Sequence, residues 1–75
     1  MNADLFNATL AKYRALRHVS TVEKLRAYTT CGSSTTFRKW LKDPNLMPIG
    51  EWENLMNALN VPKSERAEVL LSEDK

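Results

Sequence analysis

The chain has 75 residues, 11 Lys or Arg, nine Asp or Glu and a net charge of +2, a length that suits one domain. With one cysteine, Cys31, and one histidine, His18, it excludes an internal disulfide and a Cys/His zinc site, and no apolar run is long enough to span a bilayer. The opening MNADLF lacks the basic start and apolar stretch of a signal peptide, so a cytoplasmic location is expected.

The small net charge conceals an asymmetry. Residues 1–42 carry eight Lys or Arg against two acids, Asp4 and Glu23, a net +6, while residues 43–75 carry three basic residues and seven acids, a net −4. Such a skew suits a face that meets a polyanion, and equally an ordinary solvated helix surface. A domain this small buries only about 60% of its unfolded surface, so its core must lean on large side chains. The candidates are Phe6, Tyr13, Tyr28, Phe37, Trp40 and Trp52.

Helical periodicity runs throughout and no segment alternates at period two, which predicts an all-α fold, a compact bundle of about five short helices. Phe6, Leu10, Tyr13 and Leu16 recur at helical spacing, predicting a helix over 3–17 capped by Asn2 or Asp4. Ser20 and Glu23 have the spacing of a capping box, which predicts a short helix over 21–28 with Val22, Leu25 and Tyr28 facing inward. Thr29, Thr30, Cys31 and Gly32 break it. Ser33 or Ser34 then caps a helix whose Phe37, Trp40 and Leu41 form one apolar stripe, and Asp43-Pro44 ends it. Residues 44–47 read as a loop. Pro48 suits the first turn of a helix with Ile49, Trp52, Leu55, Met56 and Leu59 inward, stopped by Val61-Pro62. A last helix is predicted over 64–72 with Ala67, Leu70 and Leu71 inward. Val69 would then face outward and offer an apolar surface to a second copy.

Residues 20–41 carry the functional signal. A short capped helix, a tight turn and a second short helix with an apolar inner stripe make a helix-turn-helix. The outer face of the second helix reads Ser34, Thr35, Arg38, Lys39 and Lys42. Small hydroxyl residues permit close approach to a groove floor, and long cations reach guanine edges or phosphates.

The stretch TTCGSSTTFRKWL resembles the turn and recognition helix of the Cro/XRE-type regulators, the family of the lambdoid phage repressors, with Thr30, Ser33, Phe37, Lys39 and Trp40 in matching places. PIGEWENLMNALNVP is similar to that family's fourth helix, which often ends in the Ala-Leu-Asn-Val found here at Ala58 to Val61. The resemblance covers roughly residues 3–71. It departs from the pattern where the turn glycine would fall at Cys31, where Ser34 stands in place of a glutamine, and where a glutamine near the second helix start is absent. The resemblance implies base contacts from Ser34, Thr35 and Lys39 with Thr36 and Arg38 beside them. It implies phosphate contacts from Ser20, Thr21, Lys42 and Asn45. A helix N-terminus is a ready anion site and lysines neutralise phosphates, which agrees.

The expected function is therefore sequence-specific binding of duplex DNA by a transcriptional regulator of the phage or bacterial repressor type, acting as a homodimer on a two-fold symmetric operator. The alternative is a protein-interaction module on the same fold, antitoxin-like or an accessory subunit, with minor DNA contact. RNA binding lacks the exposed aromatic platform it commonly uses, since Phe37 and Trp40 share a stripe with Leu41. Catalysis lacks a nucleophile with a base and an orienting group, because His18 and Cys31 have no evident third partner. No enzyme activity, cofactor, metal, membrane or small-molecule ligand is called for.

Overall fold

The computed structural model describes residues 1–73. Five α-helices follow one another: α1 Ala3–Leu16, α2 Val22–Arg26, α3 Ser34–Lys42, α4 Ile49–Ala58 and α5 Lys63–Leu71, with a single 3-10 turn at Pro44–Leu46. The described residues form no strand. The radius of gyration is 11.2 Å, close to the roughly 11 Å of a compact chain of this length.

The starts of α1, α2 and α3 are set by side-chain caps, whereas α4 and α5 follow Pro48 and Pro62 without one. Asn2 accepts from the Leu5 amide at 3.0 Å, Thr21 from Lys24 at 3.2 Å and Ser33 from Thr36 at 3.3 Å. The cap of α2 is Thr21 rather than Ser20. This one-residue shift makes Lys24, not Glu23, the residue whose amide meets the cap, so the predicted capping box does not form. The helix is also shorter than expected. After Arg26 it tapers through bonds from Tyr28 to Leu25 and from Thr29 to Arg26, which leaves Tyr28 43% exposed rather than in the core.

Two helices end alike. His18 (φ 58°) and Asn60 (φ 53°) are left-handed. The following amides reach back, Val19 to Arg14 at 2.9 Å and Val61 to Met56 at 3.0 Å, the Schellman pattern that satisfies terminal carbonyls. Val19 and Val61 are buried as a result, and Arg17 donates across to the Leu59 carbonyl at 2.9 Å.

The core contains Phe6, Leu10, Tyr13, Leu25, Phe37, Trp52, Leu55, Met56, Leu59 and Val69. Trp40 and Leu41 pack against it only partly buried, with Trp40 meeting Phe37 edge-on at 6.3 Å between centroids. Pro48 is the residue before α4 rather than inside it, and Ile49 is 55% exposed.

The last helix overturns its predicted face. Val69 is 1% exposed and packs in the core, whereas Leu70 and Leu71 are 40% and 78% exposed and Ala67 is also outside. The anchor is a clamp to α1. Glu65 accepts from Lys12 at 2.7 Å and from the Tyr13 hydroxyl, which fixes the side of α5 that bears Val69 against the bundle. The Val69 surface expected to meet a second copy is therefore not available.

Candidate nucleic-acid interface

α3 has one fully buried side chain, Phe37. Thr35, Thr36, Arg38, Lys39 and Lys42 are exposed, and Ser34 is half-buried. The helix has no acid in its first turn, and among the described residues Arg38, Lys39 and Lys42 form no ion pair. Its outer face is thus a short cationic surface with hydroxyls at the N-terminal end. The fold brings Thr35, Thr36, Arg38, Lys39 and Lys42 onto one element, as the spacing requires.

Ser34 is partly engaged. Its side chain lies beside the Glu23 carboxylate and is the largest influence holding that group below the usual carboxylate range, followed by Arg26. The Arg26 guanidinium lies 2.9 Å from Glu23 and also donates to the Cys31 carbonyl at 2.9 Å. The charge of Arg38 acts on Glu23 as well. The first turn of α2 therefore lies beside the first turn of α3, and the α2 N-terminus, with Ser20 and Thr21 exposed, borders the same region. Ser20 Oγ accepts from Lys24 Nζ at 3.0 Å.

Asn45 lies on the 3-10 turn beyond α3 and faces the N-terminal residue. Its Oδ1 accepts from the Met1 amino group at 2.9 Å and its Nδ2 donates to the Met1 carbonyl at 3.2 Å. Its side chain, expected to contact phosphate, is bonded at both ends to Met1.

The connection between α2 and α3 is held by a residue of α4, Glu51. Glu51 is 8% exposed. One carboxylate oxygen accepts from the Thr30 amide at 2.8 Å and from the Thr30 hydroxyl at 3.0 Å, and the other accepts from Asn54 at 3.0 Å. An acid in the first turn of a helix carries no local sign of a contact 21 residues away, so no sequence signal was there to find. Cys31 is half-buried, with its thiol donating to the Ser33 carbonyl, in keeping with a passive turn residue.

Among the described residues no cluster of His, Cys, Asp or Glu is arranged to hold a metal ion, and no helix is long and apolar enough to cross a membrane. Between α4 and α5 lies a shallow groove of about 340 Å³ walled by Trp52, Ala67 and Leu70 and rimmed by Glu53, Lys63 and Arg66. Comparison of the chain with models of known families, with curated proteins and with solved structures finds no match.

Proposed function

We propose that the protein is a sequence-specific duplex-DNA-binding regulator, with α2 and α3 acting as a helix-turn-helix and α3 entering the major groove. The observation that carries this reading is the outer face of α3. Five exposed side chains, Thr35, Thr36, Arg38, Lys39 and Lys42, are hydroxyl or cationic, and no acid interrupts them. A helix fits the major groove, Lys and Arg donate to guanine O6 and N7, and hydroxyls contact either bases or phosphates. The basic skew of residues 1–42 places further cations on the same half of the chain. A cytoplasmic role in repression, in a phage or bacterial setting, is what the resemblance to the Cro/XRE regulators implies. Selection from a random duplex library at two salt concentrations tests the reading. Enrichment of one motif supports it, and no retention even at low salt removes it.

A second reading is favoured by α5. Ala67, Leu70 and Leu71 form an exposed apolar stripe beside the α4/α5 groove, which suits contact with another protein. Under the first reading that surface would join two copies on a two-fold site; under the second it would be the main binding face of an interaction module. Sedimentation of the native chain and of Leu71→Glu, with and without duplex, separates them. Dimers on duplex that Leu71→Glu abolishes fit the first, and association without any duplex binding fits the second.

A further inference from the structure

We propose that Glu51 is a positioning residue that sets how α3 is presented to DNA, an inference that rests on the DNA-binding reading above.

The packing of α3 leaves its orientation under-determined. Phe37 is its one fully buried side chain, with Trp40 and Leu41 only partly covered. A single deep anchor fixes where a helix sits better than how it rolls or tilts. Its N-terminal end is instead held by polar contacts from two directions. From α2, Arg26, itself paired with Glu23, holds the Cys31 carbonyl. From α4, Glu51 takes both donors of Thr30, three residues ahead of the Ser33 cap.

The two carboxylates are not equivalent. Glu23 is exposed and shares its charge with Arg26. Glu51 is buried and its bonded partners, Thr30 and Asn54, are neutral. A buried carboxylate is costly unless its lone pairs are filled, and hydrogen bonds to a charged acceptor are the stronger class. Moving the connection away from α4 would strand that carboxylate, so the energy rises steeply with displacement. Thr30 and Cys31 also lie where regular helix bonding has stopped. The Thr30 amide is satisfied by Glu51 and the Cys31 amide by the Thr29 hydroxyl at 3.1 Å. The α4 contact thus replaces the backbone bond that would otherwise locate this segment. Glu51 itself is covered and acts through Thr30, and base readout depends on side chains being held to within about 0.5 Å.

The test compares Glu51→Gln, Thr30→Val and Thr30→Ser with the native chain. Denaturation first establishes that each is folded. Binding is then measured to the duplex selected by the native chain and to a scrambled duplex at one salt concentration. Gln replaces one acceptor oxygen by a donor, Val removes the hydroxyl while keeping the shape, and Ser keeps the hydroxyl. Glu51→Gln and Thr30→Val are expected to weaken binding to the selected duplex roughly tenfold while changing the scrambled duplex by about twofold or less. Thr30→Ser should keep the native ratio. A merely structural role would lower stability and leave that ratio unmoved. If Glu51→Gln does not fold, Thr30→Val decides. Folded variants that keep the native ratio, or lose both duplexes equally, overturn the inference. A native chain that selects no duplex instead removes the DNA-binding reading, and this inference with it.

Discussion

Helices α3 and α5 have nine residues each, and each buries one side chain completely, Phe37 in α3 and Val69 in α5. Their outer faces differ in kind. α3 shows Thr35, Thr36, Arg38, Lys39 and Lys42 to solvent, and α5 shows Ala67, Leu70 and Leu71. A cationic, hydroxyl-rich face is stable alone in water and gains by meeting a polyanion through counterion release. An apolar stripe gains by losing water, which a second protein surface supplies and a phosphate backbone does not. The same modest anchoring therefore carries two outer faces of different chemistry, on opposite sides of the charge division in the chain.

The comparison can be broken first at the anchors. Phe37→Ala removes a ring with no exposure and should cost about 3–5 kcal/mol, enough to unfold a domain of this size. Trp40→Ala, taken from a partly covered ring, should cost less, about 2 kcal/mol. Equilibrium denaturation reads both, and a larger loss for Trp40 than for Phe37 would reverse their assignment. In α5, Val69→Ala should cost about 2–3 kcal/mol, while Leu71→Ala should stay within about 0.5 kcal/mol of native. Equal costs, or the reverse order, would mean that α5 is rotated from the position described.

The outer face of α3 is sharpened by separating its two C-terminal lysines. Lys39 lies within the helix on the exposed side, and Lys42 ends it. Under the DNA-binding reading, Lys39→Ala should cost about 1–3 kcal/mol on the preferred duplex and relax preference at one base pair. Lys42→Ala should weaken all duplexes alike and lower the salt slope by roughly one unit. Titrations on selected and scrambled duplexes at several salt concentrations decide. If Lys39→Ala weakens both duplexes equally, it holds the backbone rather than reading bases.

Residues that signal their own surroundings were readable in the sequence. Ser33 and Asn2 sit before apolar-periodic runs, and Asp43-Pro44 is a local stop, so the number and order of helices followed from short-range chemistry, although the α2 cap fell one residue later than expected, at Thr21. The face of α5 did not. Ala67, Leu70 and Leu71 have the i, i+3, i+4 spacing of a buried stripe, and periodicity finds that stripe without saying which side meets the core. The face that Val69 shares is tied down by Glu65 reaching Lys12 and Tyr13, 53 and 52 residues earlier in the chain. The same limit applies to the candidate interface. Apart from Ser34, which is half-buried, the exposed set on α3 was readable from its period, but the Glu51 hold on Thr30 depends on where α4 crosses the connection, a tertiary fact with no local sign.

The smallest expected effect concerns acid. Each of the two helices is held by a carboxylate that lies below its ordinary value near 4.5: Glu23 beside α3, through Ser34 and then Arg26, and Glu65 in α5, through Lys12 and then Tyr13. A carboxylate lowered in the folded state contributes stability above its unfolded value, and that contribution is lost as pH falls through the lower folded value. Glu65 also has an alkaline limit, because it raises Lys12 above 10.5 and Tyr13 above 10.0, and those contributions are lost as pH rises through the raised folded values. Glu23 is exposed and Glu65 partly so, and salt screens both, so the effect is modest. Melting temperature followed from about pH 7 to pH 3 should fall more steeply below about 4.5 for the native chain than for Glu65→Gln. The difference should shrink in about 1 M salt, where the screening length is a few ångströms. Glu23→Gln should flatten the same acid limb while leaving the alkaline limb native, since Lys12 and Tyr13 answer to Glu65 alone of the two. Parallel acid limbs for the native chain and Glu65→Gln would show that the α1–α5 clamp contributes nothing in solution, and the orientation of α5 would then rest on Val69 packing by itself.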